Sequence, residues 1–207
     1  MLKAKRAGMA LLDDIKKTVE LATGWQRPSA AQLRAMPRRG KIGVFRFEDD
    51  GAVPNNPRWP VLILWHALRL PRSIDPAAAF EDLFKSNGWG ASWRGSIYDY
   101  LHYHSRIHEV IGVARGSAKV RFGGEYGHTF KLSAGDVVIL PAGTGHQCLS
   151  ASKSFVAVGA YPSSGTYDEC KPRTAAHARN AARVLKAVWP RKDPVFGRDG
   201  ALFRYWV

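Results

Sequence analysis

Cysteine is scarce in this sequence, which has only Cys148 and Cys170 among its 207 residues. The pair could form one disulfide but cannot build the disulfide framework of a small secreted domain, and in a cytosolic chain we expect two reduced thiols. Long apolar runs are also missing, and none approaches the roughly 18–20 residues that a bilayer-spanning helix needs. A short apolar patch at residues 9–12 ends at two aspartates, too soon for a secretory signal. These absences predict a cytosolic protein that does not enter a membrane.

Acidic residues are few as well, because 17 Asp and Glu stand against 31 Lys and Arg, for a net charge of +14. Such a charge attracts nucleic acid or other anionic surfaces in a salt-dependent way. The basic residues concentrate in residues 3–41 and 171–192, however, and no aromatic-and-basic recognition motif accompanies them. We interpret them as solvated faces of terminal helices. A nucleic-acid partner is therefore not expected, although a nucleic-acid-associated protein stays open as the last alternative.

Helix signals flank a central region that carries β-strand signals instead. Apolar residues recur at helical spacing over residues 11–23, and Ser29 is a predicted N-cap of a second, short helix. Asp75, followed by proline, opens another helix that is predicted to end at Gly88. The basic stretch 174–188 predicts a closing helix. The ends of the chain are therefore expected to be helical.

The central region carries short β-strand signals separated by Gly, Ser, Asp and Pro. Strands are predicted at residues 42–47, 61–68, 109–113, 118–122, 137–140 and 155–158. In residues 118–122 apolar and basic side chains alternate, which is typical of a half-buried strand. Several short strands at this spacing indicate an all-β sandwich, barrel or jelly roll with flanking helices. We divide the chain into a basic helical extension (1–41), a β-barrel (42–170) and a C-terminal helix and tail that pack on the barrel (171–207).

Four side chains with metal-ligating chemistry lie within this region: His102, His104, Glu109 and His146. On a strand, residues two apart face the same side, so His102 and His104 can offer two imidazoles to one point. Glu109 follows after a short turn, and His146 follows a glycine-rich turn at residues 141–145. Three neutral imidazoles and a carboxylate suit one divalent transition metal, Fe, Mn, Ni, Co or Zn. Such a set would leave two positions of an octahedral ion free.

In this pattern the sequence resembles the cupin superfamily, whose two motifs are matched in order. The matching residues are Gly95, His102, His104, Glu109 and Gly116 in the first motif, and Gly135, Pro141, Gly143 and His146 in the second. The sequence departs from the pattern by one extra residue before His102 and by Ser150 in place of the usual final Asn. The resemblance implies a single-domain, RmlC-like jelly roll, a double-stranded β-helix, with a metal site.

Further stretches resemble a narrower group, the YjlB-like bacterial monocupins, for which no reaction is implied. They include the segments 54–57, 87–89, 102–110, 158–162 and 193–195. This likeness spans residues 42–207 and leaves residues 1–41 outside it.

Alternation along a strand, in which residues two apart face the same side, predicts which residues lie beside the ligands. If the two histidines at 102 and 104 point inward, Tyr98 and Tyr100 should point inward too, as substrate-pocket residues or as plain core aromatics. Cys148 shares the parity of His146 and is a pocket candidate, with a small buried hydrophobe as the alternative. His108 should point away from the cavity, yet it remains a candidate for orienting a ligand from behind or replacing one.

The leading hypothesis is a mononuclear metal-dependent enzyme of dioxygenase, isomerase or decarboxylase type that acts on a small polar molecule. The alternative is a cupin that binds a small molecule without turnover. Only the tyrosines are acid–base candidates besides the ligands, so the sequence does not separate the two. A homodimer is expected, because cupin-like barrels commonly pair through sheet edges and the predicted strand 42–47 could cover an edge that would otherwise be exposed.

Overall fold

The structure is a computed structural model that describes residues 24–207, so the helix predicted over residues 11–23 lies outside the described residues. Within that part of the chain, the helices are α1 (Ala30–Ala35), α2 (Pro76–Ser86), α3 (His177–Val184) and α4 (Ala201–Tyr205). The strands are β1 (Ile42–Phe45), β2 (Val61–Leu64), β3 (Trp89–Gly95), β4 (Glu109–Arg115), β5 (Ser117–Phe122), β6 (His128–Ser133), β7 (Val137–Leu140), β8 (His146–Ala151) and β9 (Val156–Pro162).

The strands form two antiparallel sheets that face each other. The larger sheet has the order β1-β2-β7-β4-β9-β3, and the smaller has the order β6-β5-β8. Val120, Phe122 and Leu132 of the smaller sheet belong to the same buried cluster as Ile111 and Val138 of the larger one. This arrangement confirms the predicted all-β jelly roll with flanking helices.

The larger sheet is buried on its second face too. Alternate residues of its strands, such as Val110 and Ile139, pack in another cluster with Phe80 of α2 and Trp206 near the C-terminus. A sheet covered on both faces needs continuous apolar strands, and β7 reads Val-Val-Ile-Leu with every residue buried. The contact with α2 is tight, because a Cβ at Gly112 would lie 2.3 Å from the Phe80 ring.

Two of the predicted helix starts are confirmed. The Ser29 hydroxyl accepts the backbone N–H of Gln32, whose side chain in turn accepts the Ser29 N–H. Asp75 caps α2 by accepting the N–H of Ala77, with proline at the first helical position. Both caps are local interactions, which is why the sequence indicated them.

Several predicted elements are shorter in the structure, and strands β3, β6 and β8 were not predicted. The strand predicted over 61–68 ends at Leu64, because His66 adopts a positive φ of 53° and donates its N–H to Asp136. The closing helix covers residues 177–184 rather than 174–188. Strand β3 was not predicted, because a register shift between Gly90 and Trp93 breaks the alternation of buried and exposed residues.

No helix among residues 24–207 is both long and apolar enough to cross a membrane. Cys148 and Cys170 are free thiols, as predicted.

Candidate metal centre

The four predicted ligands come from three places in the fold. Glu109 is the first residue of β4 and His146 the first residue of β8. His102 and His104 lie in the extended segment between β3 and β4, which is held by backbone pairing. His102 exchanges two hydrogen bonds with His146, at 3.2 and 2.9 Å, and the His104 carbonyl accepts the Gly143 N–H at 2.7 Å. The backbone thus fixes the ligand positions at one end of the two sheets.

The four side chains converge and are buried, with exposures of only 2–4%. One ligand atom from each of His102, His104 and His146 lies within 4.8 Å of the others. The Oε2 atom of Glu109 is 3.3 Å from Nε2 of His104 and 3.3 Å from Nε2 of His146. The three histidines therefore form the tight group, and the carboxylate adjoins two of them.

Backbone carbonyls decide which nitrogen of each histidine faces inward. Nδ1 of His102 contacts the Tyr100 carbonyl at 3.1 Å, and Nδ1 of His146 contacts the Thr144 carbonyl at 3.0 Å. Nδ1 of His104 makes the same contact with the Asp168 carbonyl. A carbonyl oxygen only accepts, so each Nδ1 must carry its proton and donate it. In the neutral rings Nε2 is then a free lone pair, which is the state a metal ligand needs.

Burial and mutual contact shift the pKa values of the buried ligand side chains. Burial lowers the pKa of His102 to about 3, with the neighbouring imidazoles adding to the effect. Burial would also lower the pKa of His104, but the Glu109 carboxylate raises it above the usual value. Burial would raise the pKa of Glu109, yet the imidazoles of His104 and His146 hold it well below its usual range.

The buried Oε2 atom of Glu109 receives no protein hydrogen bond from the described residues, although two imidazole nitrogens adjoin it. A buried carboxylate oxygen without a donor is costly unless a cation satisfies it. When the three imidazoles are neutral, their inward lone pairs, two of which lie beside that oxygen, also repel one another. The residues present therefore fit a divalent metal.

The other carboxylate oxygen of Glu109 is held by β3. The indole N–H of Trp93 lies 3.0 Å from Oε1 and also 3.2 Å from the Tyr161 hydroxyl. Burial, together with the Glu109 charge, raises the pKa of Tyr161, so this phenol stays protonated. With Oε1 engaged, Glu109 presents Oε2 alone to the histidines.

A segment at residues 167–170 covers the outer side of His104. The Asp168 carbonyl accepts a hydrogen bond from Nδ1–H of His104. The Asp168 carboxylate accepts hydrogen bonds from the backbone N–H groups of Ser105 at 2.9 Å and Arg106 at 3.1 Å. Cys170 pairs with Tyr103 through two backbone hydrogen bonds. The segment therefore fixes the orientation of the His104 ring.

A cavity of about 500 Å³ opens beside the four ligands. Besides those ligands, its lining consists of Ala91, Trp93, Arg94, Gly95, Ser96, Ile97, Tyr98, Ile111, Tyr161 and Tyr167. A cavity of this size next to convergent polar groups is the usual form of a small-molecule site.

The structure treats the three pocket candidates differently. Tyr98 lines the cavity, with its ring 5.1 Å from that of His102. Tyr100 is not part of the lining, and its hydroxyl donates to Glu169 at 2.9 Å. Cys148 is absent from the lining too and packs in the apolar cluster between the sheets. Strand parity does not extend to the tyrosines, because residues 96–101 form no regular strand.

His108 points away from the cavity, as its position before Glu109 predicts. Its Nδ1 accepts the backbone N–H of Ala142 at 2.9 Å, and its ring packs near Trp59 and Trp206. It contacts none of the other ligand candidates, but it ties down the turn that leads into His146.

Sequence reasoning missed Trp93, Tyr161, Tyr167 and Asp168. None belongs to the two motifs that contain the ligands. Strand pairing and the segment at residues 167–170 bring these residues to the site. The aromatic residues around β3 were the one available signal, and the bulge in that strand concealed it.

Comparison with known proteins agrees with this architecture. Residues 94–158 match the sequence profile of the cupin domain. YjlB, an uncharacterized protein of Bacillus subtilis (strain 168), is 37% identical to this chain over 164 residues, which cover 79% of this chain and 96% of YjlB.

Among solved structures, the chain is similar to a dTDP-4-dehydrorhamnose 3,5-epimerase from Elizabethkingia anophelis NUHP1. That match has a TM-score of 0.35 and 14% identity, and it covers 62% of this chain and 77% of the epimerase. It is also similar to an acireductone dioxygenase from Bacillus anthracis with a cadmium ion in its active center. There the TM-score is 0.32 with 19% identity, over 43% of this chain and 61% of the dioxygenase, less than two thirds of its length. From its motifs and its likeness to YjlB, the chain belongs to the cupin superfamily and, within it, to the YjlB-like monocupins.

Proposed function

We propose that this protein is a mononuclear metal-dependent enzyme in which His102, His104, Glu109 and His146 bind one divalent transition metal. The observation that carries the proposal is the common orientation of the three histidines. Each has its Nδ1 proton committed to a backbone carbonyl, so Nε2 of each neutral ring is left to bind a metal, and Nε2 of His104 and of His146 each lie 3.3 Å from Oε2 of Glu109. Fe, Mn, Ni, Co and Zn all accept this donor set.

The reaction class that fits is dioxygenation, isomerisation or decarboxylation of a small molecule. A bound metal would supply Lewis-acid chemistry and, if it is redox-active, electron transfer. The chain itself supplies orientation and exclusion of water. Trp93 holds Oε1 of Glu109, and the Tyr161 phenol offers a protonated hydroxyl beside the ligands. The adjoining cavity, which has room for a small molecule, supports a substrate that enters next to the metal.

A cupin that binds a small molecule without turnover is the second candidate. It is favoured by one feature of the cavity lining: apart from the ligand residues, its titratable groups are three tyrosines and Arg94. An enzyme that moves protons through side chains other than the metal ligands would need further titratable groups in the lining. The two candidates differ in whether a bound small molecule is changed, which a metabolite screen with product analysis decides.

The test of the metal site compares two histidine variants. His104→Ala removes one of the proposed ligands, and His128→Ala removes an exposed imidazole on β6 as a matched control. We expect about one metal ion per chain in the natural protein and in His128→Ala, and sharply weaker binding in His104→Ala. Circular dichroism should show a folded barrel in both, because two apolar clusters support it without the metal.

Equal metal affinity in the two variants would place the site elsewhere. Loss of cooperative unfolding in His104→Ala alone would show that the metal is structural.

A further inference from the structure

We propose that the cavity selects a planar aromatic compound whose oxygen donors face the metal ligands. It should prefer such a compound without a charged substituent over one that carries a carboxylate or phosphate away from the metal. This inference rests on the proposed metal site and names the substrate class for it. It is carried by the shape of the walls and by the charges that line them.

The walls of the cavity are mainly aromatic and aliphatic. Tyr98 lies beside His102, with ring centroids 5.1 Å apart, and Tyr167 lies beside His104 at 5.0 Å. Tyr161 meets Tyr167 edge to face at 5.3 Å. The remaining large side chains in the lining are Trp93, Ile97 and Ile111. Flat walls of this kind favour a flat ligand, because ring faces and edges then make the closest contacts.

The polar groups of the cavity are neutral apart from the ligand carboxylate and one arginine. Besides the imidazoles of the three histidines, they are the hydroxyls of Ser96 and of the three tyrosines, because the indole N–H of Trp93 is already bonded to Glu109. Such groups hydrogen-bond to hydroxyl or carbonyl oxygens of a ligand, but they do not neutralise a carboxylate or phosphate. A full anion without a cationic partner would lose its hydration with no compensating charge.

Arg94 is the single cationic side chain among the described residues that line the cavity, and its guanidinium is already engaged. Its Nε and Nη2 atoms donate to Glu81 at 3.0 and 2.8 Å, and Nη1 donates to Asp75 at 2.9 Å. Two carboxylates, one in α2 and one at its N-cap, therefore accept one N–H from each of the three nitrogens, three of the five guanidinium donors, and balance the charge. The hydrogen bonds to Glu81 and Asp75 also raise the pKa of Arg94. Within residues 24–207, the lining thus offers no unpaired arginine or lysine to a distal anion.

The volume sets an upper size. About 500 Å³ lies within the range of roughly 300–1,000 Å³ typical of small-molecule pockets. This space accepts a molecule of one or two fused rings.

The experiment uses the Zn(II)-loaded full chain, because Zn(II) has no redox chemistry of its own. Isothermal titration calorimetry compares catechol, 3,4-dihydroxybenzoate and naphthalene-2,3-diol, which offer the metal the same pair of adjacent hydroxyls. We expect the carboxylate-bearing probe to bind at least about tenfold more weakly than catechol. The second ring of the naphthalenediol should strengthen binding about tenfold or more by burying additional apolar surface.

Two variants test the walls, with Tyr126 as a matched control because it is 80% exposed and absent from the lining. Tyr98→Ala and Tyr167→Ala should weaken naphthalene-2,3-diol binding by roughly 3–10-fold. Tyr98→Ala should also leave Zn(II) affinity unchanged, because Tyr98 lies outside residues 167–170, which orient His104. Tyr126→Ala should change neither. Tyr98 and Tyr167 are about half exposed, so the fold should tolerate both substitutions.

The outcomes distinguish failure of the proposed substrate class from failure of the proposed metal site. If Zn(II) loads and 3,4-dihydroxybenzoate binds as tightly as catechol, the substrate class is overturned while the metal site stands. If Zn(II) does not load, the proposed function fails, and tryptophan fluorescence of the metal-free chain reads the cavity. A preference there for the naphthalenediol over the carboxylate probe supports the aromatic site, and no preference overturns it.

Discussion

The hydrogen bond from Trp93 to Glu109 allows a quantitative prediction. Trp93→Phe keeps an aromatic ring in β3 but removes the N–H that lies 3.0 Å from Oε1 of Glu109. The freed carboxylate can then rotate, and it loses the contact that directs Oε2 toward His104 and His146. We expect metal binding to weaken while the barrel stays folded.

The magnitude follows from two considerations. A hydrogen bond to a charged group contributes about 1.5–3 kcal/mol, and loss of a group that orients a metal ligand typically costs about 10–100-fold in affinity. Trp93 is only partly buried, so water can replace the lost donor, and the Tyr161 hydroxyl remains beside Glu109. The expected loss is therefore near the lower end, about tenfold or 1.4 kcal/mol.

A second substitution tests the same contact without altering the tryptophan. The indole lies on Gly159, where a Cβ would come within 2.1 Å of it. Gly159→Ala should push the indole away and weaken metal binding in the same direction. Gly90→Ala is the matched control, because a Cβ there meets nothing within 4 Å.

The assay is a competition titration of Zn(II) against a chromophoric chelator, with thermal unfolding of each metal-free variant measured in parallel. Trp65→Phe serves as a control, since that partly buried indole packs on Lys41, away from the ligands. Unchanged Zn(II) affinity in folded Trp93→Phe and Gly159→Ala would refute the positioning role. An equal loss in Trp65→Phe would show a general effect of removing an indole.

Three further predictions concern stability, pH and assembly. Asp193 accepts three backbone N–H groups at 2.8, 2.9 and 3.1 Å. Asp193→Ala should therefore cost about 3 kcal/mol or more in urea unfolding, and Asp193→Asn less, because its amide oxygen keeps two of the bonds. Metal affinity should fall as the pH drops, because the Glu109 carboxylate raises the pKa of His104 and a proton there competes with the metal; pH-independent affinity between about pH 5.5 and 7.5 would contradict this. Sedimentation should show a dimer, since β1 is an edge strand with Val44 40% exposed, and a 22.9 kDa species at micromolar concentration would count against it.

Local signals in the sequence predicted part of the fold well. The N-caps at Ser29 and Asp75 and the buried strand β7 depend on neighbouring residues or on a short apolar run. Elements whose ends depend on distant contacts were predicted less well. Strand β2 stops where His66 turns to reach Asp136, which lies 70 residues away in the chain. Strand β3 is irregular and owes its place to pairing with β9.

The sequence identified the four ligand candidates, because His102, His104, Glu109 and His146 fall into two motifs, and the resemblance of those motifs to cupins indicated the family. How those side chains are held depends on the tertiary structure. Trp93 reaches Glu109 across 16 residues, and Asp168 reaches His104 across 64. Spacing along the chain cannot encode such contacts, because they exist only after the sheets have paired and residues 167–170 have folded over the site. The same tertiary contacts leave Tyr100 and Cys148 outside the cavity lining and place Tyr161 and Tyr167 in it.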